Sequence, residues 1–405
     1  MDRADSVLAL RLARRRLLAV AALGSAGAAM ATTDRRISAL TPSPAPLSNA
    51  FPQKRGMIVQ RNRPPLLETP LSAFDGQVFT PNDRFFVRWH WSNIPLEVDV
   101  ESFRLTVSGK AGRPLSLSLK DILAMPRVSM AAVNQCSGNS RALFNPRVPG
   151  AQWAHGAMGN ALWEGVSLRS VLDRAGVQSD AVAVRFGGLD LPLTDVDPFE
   201  KSLAIDHARD GEVMLAFAMN GEQLPMLNGF PLRLVVPGWY STYWVKALNS
   251  IEVLSAEDQK YWMAQAYRIP KTPNANVAPD AKGFATEPIN RMIPRSWITS
   301  IEPGSEAAYQ PDLPVRGIAM GGTSGVRRVE ISSNGRDWTD AKLGSDEGSY
   351  GFRLFSGTLP VPGRGALMLM SRCTNAAGVT QAMEPNWNAG GYMRGCVEQV
   401  PVRIS

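Results

Sequence analysis

The apolar positions of this chain come in short runs. Leu105 to Val107 and Val182 to Phe186 read as strands, and Met130 to Val133 reads as a short buried strand leading into a loop. Leu232 to Val236 is an apolar run broken only by Arg233, and reads as a buried strand. Leu119 to Ala124 and Leu168 to Ala175 space their apolar residues as short helices do. Glycine and proline interrupt these runs, so residues 75–295 are predicted to form an α+β domain with many loops and no repeat. Residues 32–74 are rich in Pro, Ser and Thr with little apolar periodicity, and read as an extended arm. Pro270, Pro273, Pro279, Pro288 and Pro294 mark a linker wrapping over the surface at the end of the first domain. Beyond it the pattern changes to short strands, as in Val329-Glu330-Ile331-Ser332, separated by turn signals such as Asn334-Gly335. Residues 296–405 are therefore predicted to be an all-β, immunoglobulin-like sandwich.

Charge and cysteine content narrow the setting. Arg14-Arg15-Arg16 precede an apolar run from Leu17 to Ala29, and Ala29-Met30-Ala31 is a small-x-small cleavage pattern. Residues 1–31 thus read as a signal peptide, of either the ordinary secretory or the twin-arginine kind, too short to span a bilayer. It carries five arginines and two aspartates, so its removal brings the net charge from +7 to +4. No basic run interleaved with aromatics occurs, which argues against nucleic acid, and no later apolar stretch is long enough for a membrane span. The expectation is an exported, soluble, periplasmic protein. Three cysteines, Cys136, Cys373 and Cys396, make no disulfide framework. Cys373 and Cys396 are either paired or two buried thiols. No Cys-x-x-Cys-His is present, so no c-type haem is expected in this chain.

Four clusters carry candidate chemistry. Arg88 and His90 lie two apart, on one face if the strand is extended. Gln135-Cys136-Ser137-Gly138-Asn139 places a thiol at a strand-to-loop junction among small and polar neighbours, with Arg141 and Trp153 following. Asn228, Arg233 and Lys246 flank the apolar run 232–236 with donors that suit an anion such as phosphate. Gly391-Tyr392-Met393-Arg394 adds an arginine near the end of the second domain.

Taken in order, these clusters resemble the sulfite oxidase family of molybdenum enzymes. The resemblance runs from about Thr80 onward. It includes Phe85-Phe86-Val87-Arg88 with His90, the Cys136 loop, Trp163-x-Gly165-Val166-x-Leu168, Gly229-Phe230-Pro231-Leu232-Arg233, Val245-Lys246, and Asn334-Gly335-Arg336-Asp337-Trp338. It implies a sulfite-oxidase-like molybdopterin domain followed by the sandwich, and a molybdenum-molybdopterin cofactor with Cys136 as the protein thiolate on the metal. It further implies that His90, Ser170, Asn228, Arg233 and Lys246 contact the pterin, with Trp244 and Val245 lending backbone. Arg88, Arg141, Trp153, Tyr267 and Arg394 fall where the family lines its oxyanion pocket. The stretch Tyr261 to Pro270, with Arg88-Trp89-His90, looks most like bacterial sulfite dehydrogenases that reduce a cytochrome c. The partners implied are sulfite and a c-type cytochrome, with the chain either a homodimer or a heterodimer with a cytochrome subunit. Trp89, Asn228 and Tyr243 depart from the asparagine, histidine and arginine usual in the animal enzymes. Other readings are a sulfane-sulfur dehydrogenase subunit, a sulfoxide reductase of the same family, or an exported binding module without catalysis.

Overall fold

The computed structural model describes residue 51 and residues 53–405. The predicted signal peptide and residues 32–50 of the predicted arm lie outside the described residues. The rest of that arm is integrated into the fold. Ile58–Arg61 and Leu66–Glu68 pair antiparallel, and Val87–Arg88 pairs with the second strand. Met57, Leu66, Leu67 and Phe74 are buried. Sparse apolar residues between prolines hid these strands, because two or three buried side chains per strand are enough to dock it without producing a period.

Two five-stranded sheets form the body of the first region. One runs in the order Glu222–Gln223, Met214–Met219, Met158–Ser167, Arg127–Gln135, with Arg233–Val235 also paired to Met214–Met219. The other runs Leu115–Ser118, Arg104–Gly109, Leu248–Leu254, Ala183–Gly188, Glu200–Ala204, and its Arg104–Gly109 and Leu248–Leu254 strands are parallel. The predicted apolar runs sit in these strands because their side chains are the core: Leu105, Val166, Phe186, Leu234 and Ile251 are fully buried together. Leu119–Leu123 opens with a capping box, Ser118 Oγ accepting from the Asp121 N–H and the Asp121 carboxylate accepting from the Ser118 N–H at 2.9 Å. Leu168–Ala175 ends at Gly176, whose φ of 67° is the left-handed cap that glycine favours.

The C-terminal strands form two more sheets. Arg295–Ile298, Asp312–Met320, Arg353–Pro360 and Lys342–Leu343 make one. Ser305–Ala307, Gln399–Ile404, Gly365–Asn375, Val326–Ser332 and Thr339–Asp340 make the other. Val315 and Phe355 of the first share a core with Val329, Leu369 and Val402 of the second, so the sheets pack on each other. The proline-rich stretch is more than a surface wrap. Arg268–Pro270 pairs with Thr286–Pro288, and Ile269, Ala275, Ile289 and Met292 are buried in a cluster with Tyr240, Trp297 and Phe352. Its apolar residues seal the seam between the two sets of sheets.

Cys136, Cys373 and Cys396 are all free and buried, which resolves the last two as thiols. Burial pushes the Cys373 and Cys396 thiols up to about 12 and about 11. Among the described residues no helix is long and apolar enough to cross a membrane.

One buried ion pair ties the C-terminal segment to the Cys136 loop. Arg295 Nη2 lies 2.6 Å from Glu398 Oε1 and donates to Ser140 Oγ at 3.0 Å, with Arg295 1% and Glu398 7% exposed. Arg394 also meets Glu398, at 3.3 Å. Removing one partner of a buried pair leaves the other charge uncompensated, at a cost of about 3–5 kcal/mol. Arg295→Met is therefore expected to lower stability by about 3 kcal/mol, the low end because Arg394 remains. Urea denaturation checks this, and an unchanged midpoint would show that the pair carries no stability.

Candidate active site

The site is built where the strand Arg127–Gln135 runs out. That strand delivers Cys136 to a cavity lined by residues from both sides of the first region. The loop that follows is tightly specified. The Cys136 N–H donates to the Ala157 carbonyl at 2.9 Å, and Asn139 Oδ1 accepts the Ala157 N–H at 3.0 Å. Gly138 leaves room for the Arg141 guanidinium, which a Cβ there would displace from its carbonyl partners. Ser140 adopts a φ of 68°, and its hydroxyl meets both His155 and Arg295.

Facing Cys136 across the cavity are Arg88, His90, Asn228, Arg233, Lys246 and Tyr267. Arg233 lies over the rings of Trp163 and Trp244, 4.9 and 5.7 Å from their centroids, and donates to the Asn228 and Trp244 carbonyls. Burial lowers its pKa to about 9, so it is charged at neutral pH. Lys246 sits 4.7 Å from the Trp89 ring centroid, and burial, with Arg233 beside it, lowers its pKa to about 7. His90 stacks on Phe199 and bonds Tyr267 Oη. Burial first, then Arg88, Lys246 and Lys201, keep its imidazole neutral, while burial holds the Tyr267 hydroxyl protonated. The neutral imidazole and the protonated hydroxyl share this hydrogen bond, whose donor is set by the His90 tautomer. Tyr267 is set in this position by a left-handed backbone, φ 56°.

The cavity wall is unusually rich in buried polar atoms without a protein partner. Arg88 Nη1, His90 Nδ1, Asn134 Nδ2, Ser137 Oγ, Arg233 Nε and Thr242 Oγ1 are all buried and unpaired, and all belong to residues lining this cavity. Each such atom is costly unless a ligand meets it.

Other sequence-predicted residues fall outside the cavity. Arg141 spends its guanidinium on the Gly390 carbonyl, at 3.2 and 3.1 Å, and on Ala151, and braces the Cys136 loop against the C-terminal segment. Arg394 is held by Glu398 and the Leu143 carbonyl. Trp153 is core. Ser170 is exposed, on the opposite side of its helix from buried Leu168, Val171 and Leu172. The backbones of Trp244 and Val245 are already paired, the first with Ser241 and Arg233, the second with Tyr243 and Leu234. Ser241 and Thr242 line the cavity in their place.

Two buried lysines behind the wall carried no sequence signal. Lys201 donates to the Trp262 carbonyl at 2.6 Å and lies over the Tyr243 and Tyr267 rings. Lys54 donates to the Asn82 and Phe85 carbonyls and to Asn228 Oδ1 at 2.6 Å, so it fixes the Asn228 amide.

Residues 91–262 match the model of the oxidoreductase molybdopterin binding domain. Over 367 residues the chain is 32% identical to sulfite oxidase of Gallus gallus, covering 86% of this chain and 78% of that protein. The chain belongs to the sulfite oxidase family of molybdopterin enzymes. A sulfite oxidase of Arabidopsis thaliana is 29% identical over 89% of this chain and 97% of its own length. The sulfane dehydrogenase SoxCD of Paracoccus pantotrophus shares the fold, with a TM-score of 0.72 at 24% identity over 84% of this chain and 87% of that one.

The residues fit the cofactor of this sulfite oxidase family. A pterin phosphate and dithiolene are anionic, and the six unpaired polar atoms, Arg233 Nε among them, together with Lys246 are what such a group needs. Among the described residues no three His, Cys, Asp or Glu side chains stand together as a metal set. Cys136 is the one thiol that lines this cavity among the described residues.

Lys54 has a consequence for pH. Burial lowers its pKa to about 7, against the pull of Asp83. Between about pH 7 and its ordinary value of 10.5 the unfolded chain holds this proton and the folded chain does not. Stability therefore gains from this group as pH rises through that window, by up to about 1.4 kcal/mol per pH unit. Lys54→Met is expected to flatten that gain and to cost about 1–3 kcal/mol by leaving Asn228 Oδ1 unpaired. Urea midpoints at pH 7 and 9 measure both effects. Equal slopes in the two proteins would show that the lysine keeps its proton.

Proposed function

We propose that the protein oxidises sulfite to sulfate at a molybdenum–pterin centre held in this cavity and passes the electrons to a c-type cytochrome. The observation that carries the reading is the set of unpaired buried donors and cations around a single thiol. A small oxyanion gives up its water only where fixed charges replace it. Here the replacements are already oriented, so little reorganisation is needed when the anion arrives.

When bound, the molybdenum–pterin group supplies oxygen-atom transfer to sulfur and takes up the two electrons. Cys136 would hold the metal through its thiolate. Arg233 and Lys246 would neutralise the pterin phosphate, with Asn228 held in place by Lys54. Arg88 Nη1 and the His90 Nδ1–H are left to bind and orient the substrate oxygens. Tyr267 keeps its proton and would donate a hydrogen bond to His90 Nε2, which would leave the ring proton on Nδ1 for the substrate. The net change is sulfite plus water giving sulfate, two protons and two electrons, which reduce two ferric haems in succession. The predicted signal peptide supports a periplasmic location for the reaction. The fold shared with SoxCD supports a second reading, oxidation of sulfane sulfur in place of sulfite.

The test is sulfite-dependent reduction of cytochrome c by protein purified from molybdenum-replete cells. Rapid reduction is expected. None from protein shown to carry molybdenum would overturn the sulfite reading, and turnover of a sulfane-sulfur substrate by that same preparation would establish the second. Arg88→Gln is expected to raise KM for sulfite ~10–100-fold, the worth of one charge-assisted bond of about 1.5–3 kcal/mol to a buried anion. An unchanged KM would place Arg88 outside the substrate site. Cys136→Ser is expected to abolish sulfite turnover even where molybdenum analysis shows metal retained. Persisting activity would remove the thiolate from the metal.

A further inference from the structure

The surface outside the aromatic wall of the cavity has a composition unlike the rest of the chain. Residues 89–103 and 186–200 contain no lysine or arginine and seven carboxylates, in a chain with 43 basic and 36 acidic residues. Glu97, Asp99, Glu101, Asp195 and Asp197 are exposed, and among the described residues none of them is in an ion pair. The same segments, with Tyr261, hold six of the fourteen strongly exposed large hydrophobic residues among the described residues, including Leu96 at 81% and Leu193 at 74%. Scattered exposed leucines need no explanation, but a group of them framed by unpaired charge of one sign does.

The segments form one connected surface. The Leu191 N–H donates to the Asn93 carbonyl at 3.0 Å, and Asp197 accepts from the Tyr261 N–H and the Trp262 indole at 3.2 Å. This surface backs directly onto the site. Phe199 stacks on His90, Trp262 packs edge-on against both with centroids 5.2 Å away, and exposed Tyr261 packs on Trp262. A partner seated here is separated from the cavity by one layer of aromatic rings.

We propose that this acidic, leucine-tipped surface is the docking site of the electron acceptor, a small c-type cytochrome whose exposed haem edge is ringed by lysines. The assignment rests on the proposed transfer of electrons to such a cytochrome. Charge complementarity selects the occupant: unpaired carboxylates meet the lysine ring, while the leucines cover the apolar haem edge. The docking makes and breaks no covalent bond.

The experiment uses the full-length holoenzyme, a lysine-ringed mitochondrial-type cytochrome c as probe, and the double variant Leu193→Ser/Asp195→Lys. Direct titration at low ionic strength reads docking without turnover. Sulfite oxidation with ferricyanide, a small oxidant that needs no docking surface, reads the chemistry and the integrity of the variant. The expected result is binding by the parent that weakens steeply with salt, and at least tenfold weaker binding by the variant. The variant's KM for cytochrome c should rise at least tenfold with its ferricyanide rate unchanged. A parent that does not bind the probe, or a variant that binds within twofold of the parent, overturns the docking site. Absence of sulfite turnover with ferricyanide instead overturns the sulfite reading, and the titration still decides the surface.

Discussion

The structure depends on holding unsatisfied positive charge inside the protein. Arg88, Arg233 and Lys246 face one enclosed space, with Lys54 and Lys201 buried behind it. Buried Asp190 offsets part of that charge through Lys246 and Arg88, but among the described residues no carboxylate forms a direct ion pair with these five cations. The surrounding tryptophans make the charges tolerable, since Arg233 lies between Trp163 and Trp244 and Lys246 over Trp89. Ring faces stabilise a cation without offering it a counter-ion. The charges are thereby kept available to a bound anion, which a carboxylate partner would have prevented. Backbone carbonyls do the same for Lys54 and Lys201, which are anchored by neutral acceptors.

The second constraint is the rigidity of the Cys136 loop, and much of it comes from the far end of the chain. Arg141 binds the Gly390 carbonyl, the Met393 N–H donates to the Ser137 carbonyl, and Arg295, itself paired to Glu398, reaches Ser140. The C-terminal sheets therefore hold the thiol in register from outside while the Arg127–Gln135 strand fixes it from within. The arginines near this loop act chiefly as braces. Arg141 and Arg394 have given their donors to carbonyls and to Glu398, while Arg88 keeps an unpaired buried donor at the cavity.

This division explains what the sequence could and could not disclose. The strand Arg127–Gln135, the helix Leu168–Ala175 and the buried run at Arg233–Val235 were legible because apolar side chains with a local period dictated them. Cys136, Asn228, Arg233 and Lys246 were legible as an ordered set of motifs. Lys54 was not, because it enters from a proline-rich stretch without periodicity, 174 residues from the amide it holds. Arg141, Arg394 and Ser170 sit close in sequence to cavity residues or in matching motifs, yet direction decides what they touch. Ser170 points to solvent because three apolar neighbours claim the inner face of its helix. Spacing gives a side chain its neighbourhood, and the hydrogen bonds already made by its donors decide whether it has any left for a ligand.

On the proposed function, the charge pattern also separates two tasks that conflict. An oxyanion needs a positive interior, while a lysine-ringed acceptor needs a negative exterior. A protein that spread either sign over the whole surface would repel one of the two. Here the positive groups are buried, where low polarizability lets them act strongly at short range. Glu97, Asp99, Glu101, Asp195 and Asp197 are exposed, where salt limits their reach to about 8–10 Å. The rings of His90, Phe199 and Trp262 lie between. Aromatic side chains suit that layer because they exclude water from the cationic cavity without adding a charge of their own. The same layer keeps the cavity side of His90 neutral, which a wet imidazole beside the exterior carboxylates would not be. A neutral imidazole keeps the same charge on either side of pH 7, so its contribution to the site does not change with pH there.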